Sequence, residues 1–484
     1  MAPQQGWGMT STVTNTSSSW LSRIAQRSCS WAERWFPDAF PFAVVMVVAV
    51  TLAALSIGAR PADIVGQFGT GFWGLIPFTM QMCMVIIGGY VTADSPPVAR
   101  LTHALAQWPK TGRGAVAMIG IVSIVLSLLH WALSLILSSL LVRAMSRRAE
   151  LPLDYRAAGA ASCLGIGSVW AMGLSSSAAQ LQANPGSMPP ALLKISGVVP
   201  FSETIFTWQT GVLTVVLAAV SVYIAWKAAP EGEHALTAAQ MNVPPLERDR
   251  PLPPRGRPGE WLEYSPLPSL LLVLIGGAWL AREFIAKGPV LAISNLNTYN
   301  LIFLMLGLLL QWRPRRFMDA VTRAVPGIAG VLVQFPLYGA IAAILSNAAN
   351  AQGETVTHLL SHLITRLSNT DTFALVVGVY SAVLGLFLPS AGGKWLVEAP
   401  YVMHAANDLH YHLGWTVQIY NGAEALANLI NPFWMLPILG ILGLKARDLI
   451  GYTFVQFVVN MPLVLFLLWL LGRTFTYHAP VVPP

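Results

Sequence analysis

Lys394 and Glu398 stand four residues apart in LPSAGGKWLVEAP (residues 388–400), a stretch with no other charge. Pro389 stops a helix there, and Gly392 and Gly393 permit a tight reversal. A short apolar helix then restarts with Lys394 in its first turn. A helix N-terminus is slightly positive, so a cation placed on it asks for an anion nearby. Two partners fit. A bound carboxylate would suit both the ammonium and the N–H groups of the restarting helix, with Ser390, Gly392, Gly393 and Lys394 around it. Glu398, one turn further on, could equally pair with Lys394 on the same face, although Lys before Glu is the weaker order.

Other polar residues interrupt apolar runs. His130 and Trp131 sit midway through LLHWALS (128–134), where a histidine can line a site, relay a proton or serve as a hydrogen-bonded core residue. Trp170, Gly173, Ser175, Ser176 and Ser177 break one run, and Asn421, Glu424, Asn428 and Asn431 break another just before Pro432. Glu424 and Asn428 share a helix face. A cavity-facing carboxylate at 424 could carry a coupling proton, or could simply pair with Lys394 or an amide. Gln81 and Gln334 are single amides in apolar stretches, readable as helix–helix contacts or as site residues. The candidate substrate set is thus Ser390, Gly392, Gly393, Lys394, His130, Trp131, Gln81, Gln334, Ser175, Asn428 and Asn431, with Glu424 and Glu398 as coupling candidates. Cys29, Cys83 and Cys163 lack metal-ligand spacing, and neither a disulfide, a metal nor a cofactor is expected.

These residues need a scaffold, and the composition dictates its kind. Of 484 residues, 55% are hydrophobic and 10% charged, against about 25% charged in soluble domains. Several apolar runs reach the roughly 20 residues that cross a bilayer. The runs are continuous rather than alternating, which predicts an all-α polytopic membrane protein of about ten to twelve membrane segments. The net charge of +7 is carried in short loops, where it reports orientation and contact with anionic lipid; nucleic acid is not an expected partner. Runs are read near 40–58, 72–93, 115–145, 157–181, 205–227, 266–284, 298–312, 325–347, 372–388, 395–406, 415–444 and 449–471.

The chain divides into a cytoplasmic leader at 1–38 carrying an interfacial amphipathic helix, a first membrane half at 39–229, a Pro-rich cytoplasmic linker at 230–264, a second membrane half at 265–473 and a tail at 474–484. No cleavable signal peptide is read at the start. Basic residues such as Arg143, Arg147, Arg148, Arg313, Arg315, Arg316 and Lys445 place their loops in the cytoplasm. The 115–145 run then enters and leaves from inside, and the 372–406 region enters and leaves from outside. Each follows a span carrying one glutamine and precedes a broken span. That order predicts inverted repeats, each with a re-entrant hairpin, near 130 and 391, and hence a transporter with a central site.

Long blocks then resemble the bacterial short-chain fatty acid transporter family: WFPDAFPFAV (35–44), GFWGLIPFTMQM (71–82), ANPG (183–186), LNTYNLIFLMLGLLL (296–310), GIAGVLVQFPLYGAI (327–341), NTDTF (369–373), LPSAGGKW (388–395) and NPFWMLPILGILGLKARDLIGY (431–452). The resemblance runs from about Trp35 to Leu471. It implies import of small monocarboxylates such as acetoacetate or butyrate, and two re-entrant hairpins meeting at a central site, as in the wider ion transporter superfamily. The chain departs from the family's hairpin, Gly-Gly-Gly-His-Trp, by having Ala391, Gly392, Gly393, Lys394 and Trp395, and Glu398 stands where the family has an uncharged residue.

The expected function is therefore a proton-coupled secondary carrier importing a short-chain monocarboxylate across the bacterial inner membrane. Three rivals stay open: a sodium-coupled dicarboxylate carrier, a passive channel, and an intramembrane enzyme using His130 with Ser134 or Glu424. The expected partners are a small carboxylate, membrane lipid and a coupling proton or Na+, with homo-oligomerisation left open.

Overall fold

A computed structural model describes residues 39–232, 235–243, 252–387 and 391–482. The leader and its expected interfacial helix, with Cys29, lie outside the described residues. Within them the regular elements are helical, apart from one isolated antiparallel bridge between Ala349 and Thr355. Six helices are long and apolar enough to cross a membrane, and a bent pair, Tyr155–Ser162 with Gly165–Gln182, makes a seventh. Shorter apolar helices of 10–17 residues lie at Ala43–Ser56, Trp131–Met145, Leu296–Gln311 and Phe373–Leu386.

The first half contains α1 (Ala39–Ser56), α2 (Pro61–Gly74), α3 (Ile76–Ala93), α4 (Pro96–Ala106), α5 (Gly112–Leu129) and α6 (Trp131–Met145). It continues through α7 (Tyr155–Ser162), a π turn at Gly165–Val169, a 3-10 turn at Trp170–Met172, α8 (Ser177–Gln182), α9 (Pro190–Ser196) and α10 (Trp208–Ala228). After the linker come α11 (Trp261–Tyr264), α12 (Leu267–Lys287), α13 (Pro289–Ser294), α14 (Leu296–Gln311), α15 (Pro314–Ala324), α16 (Ala329–Asn347) and α17 (Val356–Leu367). The second half closes with α18 (Phe373–Phe387), α19 (Ala391–Asp408), α20 (Leu413–Ala427), α21 (Pro432–Leu442) and α22 (Ala446–Gly472).

The two halves repeat one order of elements. A long two-part span, α2–α3 or α15–α16, leads to a short amphipathic helix, α4 or α17. A helical pair follows, α5/α6 or α18/α19, then a broken span, α7–α8 or α20–α21, and a last long helix, α10 or α22. Packing follows the same order: α14 of the second half lies on α3, and α1 of the first half lies on α16. The long spans cross at facing glycines. A Cβ on Gly71 would lie 2.3 Å from the Gly339 carbonyl oxygen, and one on Gly339 would lie 2.5 Å from that of Gly71. With hydrocarbon outside, such close backbone approach replaces the hydrophobic effect as the force holding helices together.

Each break has a local cause. His130 is extended (φ −159°, ψ 110°), ends α5 and caps α6 by accepting the Leu133 N–H at Nδ1. Ser176 caps α8 by accepting the Ala179 N–H, and Pro432 opens α21. The structure also moves some expected boundaries. The second span begins at Pro61 rather than near 72: the glycine-bearing stretch is helical, with Gly71 placed at the crossing with Gly339, while a Cβ on Gly66, Gly69 or Gly74 would meet no atom of the described residues within 4 Å. Helices α4, α15 and α17 occupy stretches read as loops; their charged faces kept them below the apolarity of a span.

Candidate functional site

Three charged side chains meet in the second half, and all are fully buried. Lys394 in the first turn of α19 places Nζ 3.2 Å from Glu398 Oε1 on its own helix and 2.7 Å from Glu424 Oε2 on α20. The ammonium also donates to the Ser381 carbonyl at 2.7 Å and to Ser381 Oγ at 3.0 Å, and Ser381 Oγ donates to Glu398 Oε2 at 2.8 Å. The Tyr420 ring lies beneath the ammonium at 4.5 Å, and its hydroxyl donates to the Ala391 carbonyl. An ammonium has three N–H bonds. Here four oxygens surround it, one from each carboxylate in an ion pair and the two of Ser381 by hydrogen bonds.

Gly385 on α18 makes the room. A Cβ there would stand 2.9 Å from the Ala427 Cβ and 3.0 Å from Glu424 Oε2, with Lys394 Nζ at 3.5 Å. The two carboxylates are not equally satisfied. Glu398 accepts from Ser381 at Oε2, whereas among the described residues neither oxygen of Glu424 accepts a hydrogen bond, and its Oε2 rests on the ion pair with Lys394. A lone buried acceptor of this kind is expensive unless it takes up a proton or a cation.

The restarting helix meets the first half at its tip. A Cβ on Gly392 would lie 3.3 Å from the Phe78 ring and 3.4 Å from the Ser177 Cβ, so α19 abuts both α3 and the start of α8. The mirror contact is Trp131, at the start of α6, against Trp434 on α21, with ring centroids 5.9 Å apart. Ser176 Oγ donates to Asn421 Oδ1 at 3.1 Å, which joins the two broken spans directly. Asn428 donates to the Ile166 carbonyl at 3.1 Å, and Asn431 reaches the Gly385 carbonyl at 3.4 Å and the Leu386 carbonyl at 3.3 Å.

The remaining candidates sit elsewhere. His130 is buried beside Tyr299 and Phe303 of α14, with ring centroids at 5.8 and 4.3 Å, and touches no member of the charged cluster in these contacts. Ser175 is buried beside the Tyr299 hydroxyl, which itself donates to the Leu129 carbonyl at 2.6 Å. Gln81 bonds Asn297 at 2.9 Å and Ser187 at 3.0 Å, and lines a cavity of about 470 Å³ with Pro77, Met80 and Asn300 between α3 and α14. Among the described residues, the hydrogen-bond partner of Gln334 is Tyr338 of its own helix, at 3.4 Å. The two glutamines therefore occupy unlike surroundings. Ser390 lies outside the described residues. Residues the sequence did not single out, Ser381, Gly385 and Tyr420, complete the cluster.

Among the described residues, one group has the composition of a metal site. Ligand atoms of Glu203, His412 and His478 lie within 4.8 Å of one another. His412 Nδ1, however, accepts the Trp415 N–H at 2.9 Å, which leaves the ring proton on Nε2 and no lone pair for an ion. His478 Nε2 instead pairs with Glu203 Oε2 at 3.0 Å.

Comparisons with known proteins agree with one another. The family profile described as "Short chain fatty acid transporter" matches residues 20–471. A relative from Escherichia coli (strain K12), provisionally named a short-chain fatty acid transporter, is 31% identical over 434 residues, spanning 89% of this chain and 96% of its own. A second, from Haemophilus influenzae and named in the same way, is 28% identical over 92% of this chain and 98% of its own. Among solved structures, the YdaH transporter of Alcanivorax borkumensis superposes with a TM-score of 0.56 at 16% identity, covering 90% of this chain and 98% of that one. MtrF of Neisseria gonorrhoeae, described within a class of antimetabolite efflux pumps, gives 0.52 at 13%, covering 95% and 99%. These two share the fold.

Proposed function

The chain belongs to the short-chain fatty acid transporter family, and on that premise we propose that this multi-pass membrane protein imports a small monocarboxylate together with a proton. The proposal extends to a bacterial inner-membrane setting and to two halves of opposite orientation, with basic loops held inside. The relatives' names supply the substrate class, with acetoacetate and butyrate as representatives.

The coupling reading rests on one observation. Glu398 and Glu424 bring two negative charges to the single positive charge of Lys394, and all three are cut off from solvent. Fully ionised, the triad carries one net negative charge. A charge at membrane depth costs about 3 kcal/mol or more. One proton on either carboxylate cancels it, and the unsatisfied Glu424 Oε1 offers a place for that proton. Loading and unloading this proton is the electrostatic switch of the carrier. Because the Lys394 ammonium is already surrounded by Ser381 and the two carboxylates, the substrate carboxylate is better placed at the positive end of α19, where Gly392 faces Ser177 and Phe78.

A carrier reading is favoured over an enzyme. Ser134 Oγ donates to the Ser123 carbonyl at 2.6 Å, and His130 Nδ1 is occupied by the Leu133 N–H, so they do not form a nucleophile–base pair. Uptake of labelled acetoacetate into proteoliposomes, with proton and Na+ gradients imposed separately, tests the proposal. Accumulation with an acidic exterior and no Na+ supports it. A response to Na+ alone, or recovery of a chemically altered product, counts against it.

A further inference from the structure

The limbs α18 and α19 run antiparallel, and their seam is polar from end to end. At its deep end Gly385 lies over Lys394 and Glu424. Next comes Ser381, bonded to both Lys394 and Glu398. Further out the Tyr380 and Tyr401 hydroxyls meet at 2.7 Å. The Glu398 carboxylate is within electrostatic reach of both tyrosines. Beyond Tyr401, at the far end of α19, His404 Nδ1 stands 3.1 Å from Asp408 Oδ2, with Ser361 of α17 bonded to both. The side chains of His404 and Asp408 are 31% and 38% exposed, whereas Tyr401 and Glu398 are buried.

Positions 394, 398, 401, 404 and 408 step by four, three, three and four residues, which sets them on one face of α19. A structural role explains any one of these groups. It does not explain a row of polar groups along one face of a mainly apolar helix pair, running from the partly exposed end of α19 to a buried cluster that has one carboxylate too many.

We infer that the α18–α19 seam is a proton path from the outer surface to Glu398, with His404 and Asp408 as its mouth and the Tyr401–Tyr380 hydroxyl pair as its relay. The inference rests on the proton-coupled reading above. Each hop breaks one O–H or N–H bond and forms one on the next group, so a tyrosine that passes a proton inward receives one from outside and ends unchanged. Three residues, a rise of about 4.5 Å along the helix, separate Glu398 from Tyr401 and Tyr401 from His404. A single water in each interval completes the row. The groups facing the mouth from neighbouring elements are His358, Ser361 and His362 on α17 and Glu354 before it.

The test compares Tyr401→Phe and His404→Gln with the parent in proteoliposomes. Labelled acetoacetate uptake driven by an acidic exterior is measured against exchange of the same substrate at equal pH on both sides. Tyr401→Phe loses only a hydroxyl, so the ratio of driven uptake to exchange should fall about tenfold or more. His404→Gln lies at the partly exposed end and tests the path independently should the buried variant misfold. It should lower the ratio in the same direction and shift the pH dependence of driven uptake. Unchanged ratios in both variants would overturn the path while leaving proton coupling standing. A parent protein that ignores the proton gradient would overturn the coupling reading and the path with it.

Discussion

Lys394 Nζ lies closer to Glu424 Oε2 on a neighbouring helix, at 2.7 Å, than to Glu398 Oε1 on its own helix, at 3.2 Å. The ion pair that local spacing suggests is therefore the weaker half of a three-member cluster. This relationship sets what happens when any member is removed.

Lys394→Met should strand two buried carboxylates. Breaking a buried pair in this way costs about 3–5 kcal/mol, and the variant should express poorly or melt early in detergent. Adding Glu398→Gln alone should recover only part of the loss, since Glu424 keeps its charge. The triple variant with Glu424→Gln should recover most of it. Full recovery in the Lys394→Met, Glu398→Gln double variant would show that Glu424 does not share the cation.

Gly385→Ala tests the space beside the triad. Its new methyl would press on Ala427 and on Glu424 Oε2, and overpacking of this kind costs about 1–3 kcal/mol. Thermal unfolding should show that loss together with slower driven uptake. Gly392→Ala meets only the Phe78 ring and Ser177 at 3.3 to 3.4 Å, so it should be milder. Equal melting temperatures for the two alanine variants would contradict the packing account.

His412 supplies a pH prediction outside the membrane spans. Burial, with His478 as a lesser cause, pushes it down to about 4 from an ordinary value of 6.5. The unfolded chain then binds this proton first as pH falls, so stability is intact above about pH 6.5 and declines toward pH 4. A depression of that size corresponds to about 3 kcal/mol at most. His412→Asn keeps a good helix cap without the titration. Its melting temperature should fall less than the parent's between pH 7 and pH 4.5, and parallel declines would refute the assignment.

Much of this was legible in the sequence. Continuous apolar runs and basic loops announce a polytopic helical protein, and the breaks at His130 and before Pro432 announce interrupted helices. Lys394 with Glu398 is visible as a one-turn pair. Lys394 with Glu424 is not, because no local pattern says which face of α20 turns toward α19. Ser381 is a single hydroxyl in an apolar run, and nothing in its neighbourhood marks it. Tyr420 carried a usable signal, since it lies one turn before Glu424 on the same face. Helices α4, α15 and α17 were missed because a search tuned to apolar length overlooks short charged helices lying beside the spans. Gln81 and Gln334 look equivalent by position, yet among the described residues only Gln81 has a hydrogen-bond partner across a helix interface.

Opposite orientation of the two halves can be checked with single cysteines. With the native cysteines replaced, one introduced at Arg255 in the linker should be labelled only from the cytoplasmic side, and one at Gly353 before α17 only from outside. Labelling of both from one side would remove the inverted arrangement, and with it the outer mouth of the proton path.

The central claim is that the buried triad carries the coupling proton, and Glu424→Gln tests it most directly. The amide keeps the shape of the side chain and fixes the triad in a neutral state, one Lys against one Glu. In proteoliposomes with an acidic exterior, this variant should exchange labelled acetoacetate yet fail to accumulate it above equilibrium. Accumulation at the parent's level, driven by the same proton gradient, would contradict the account.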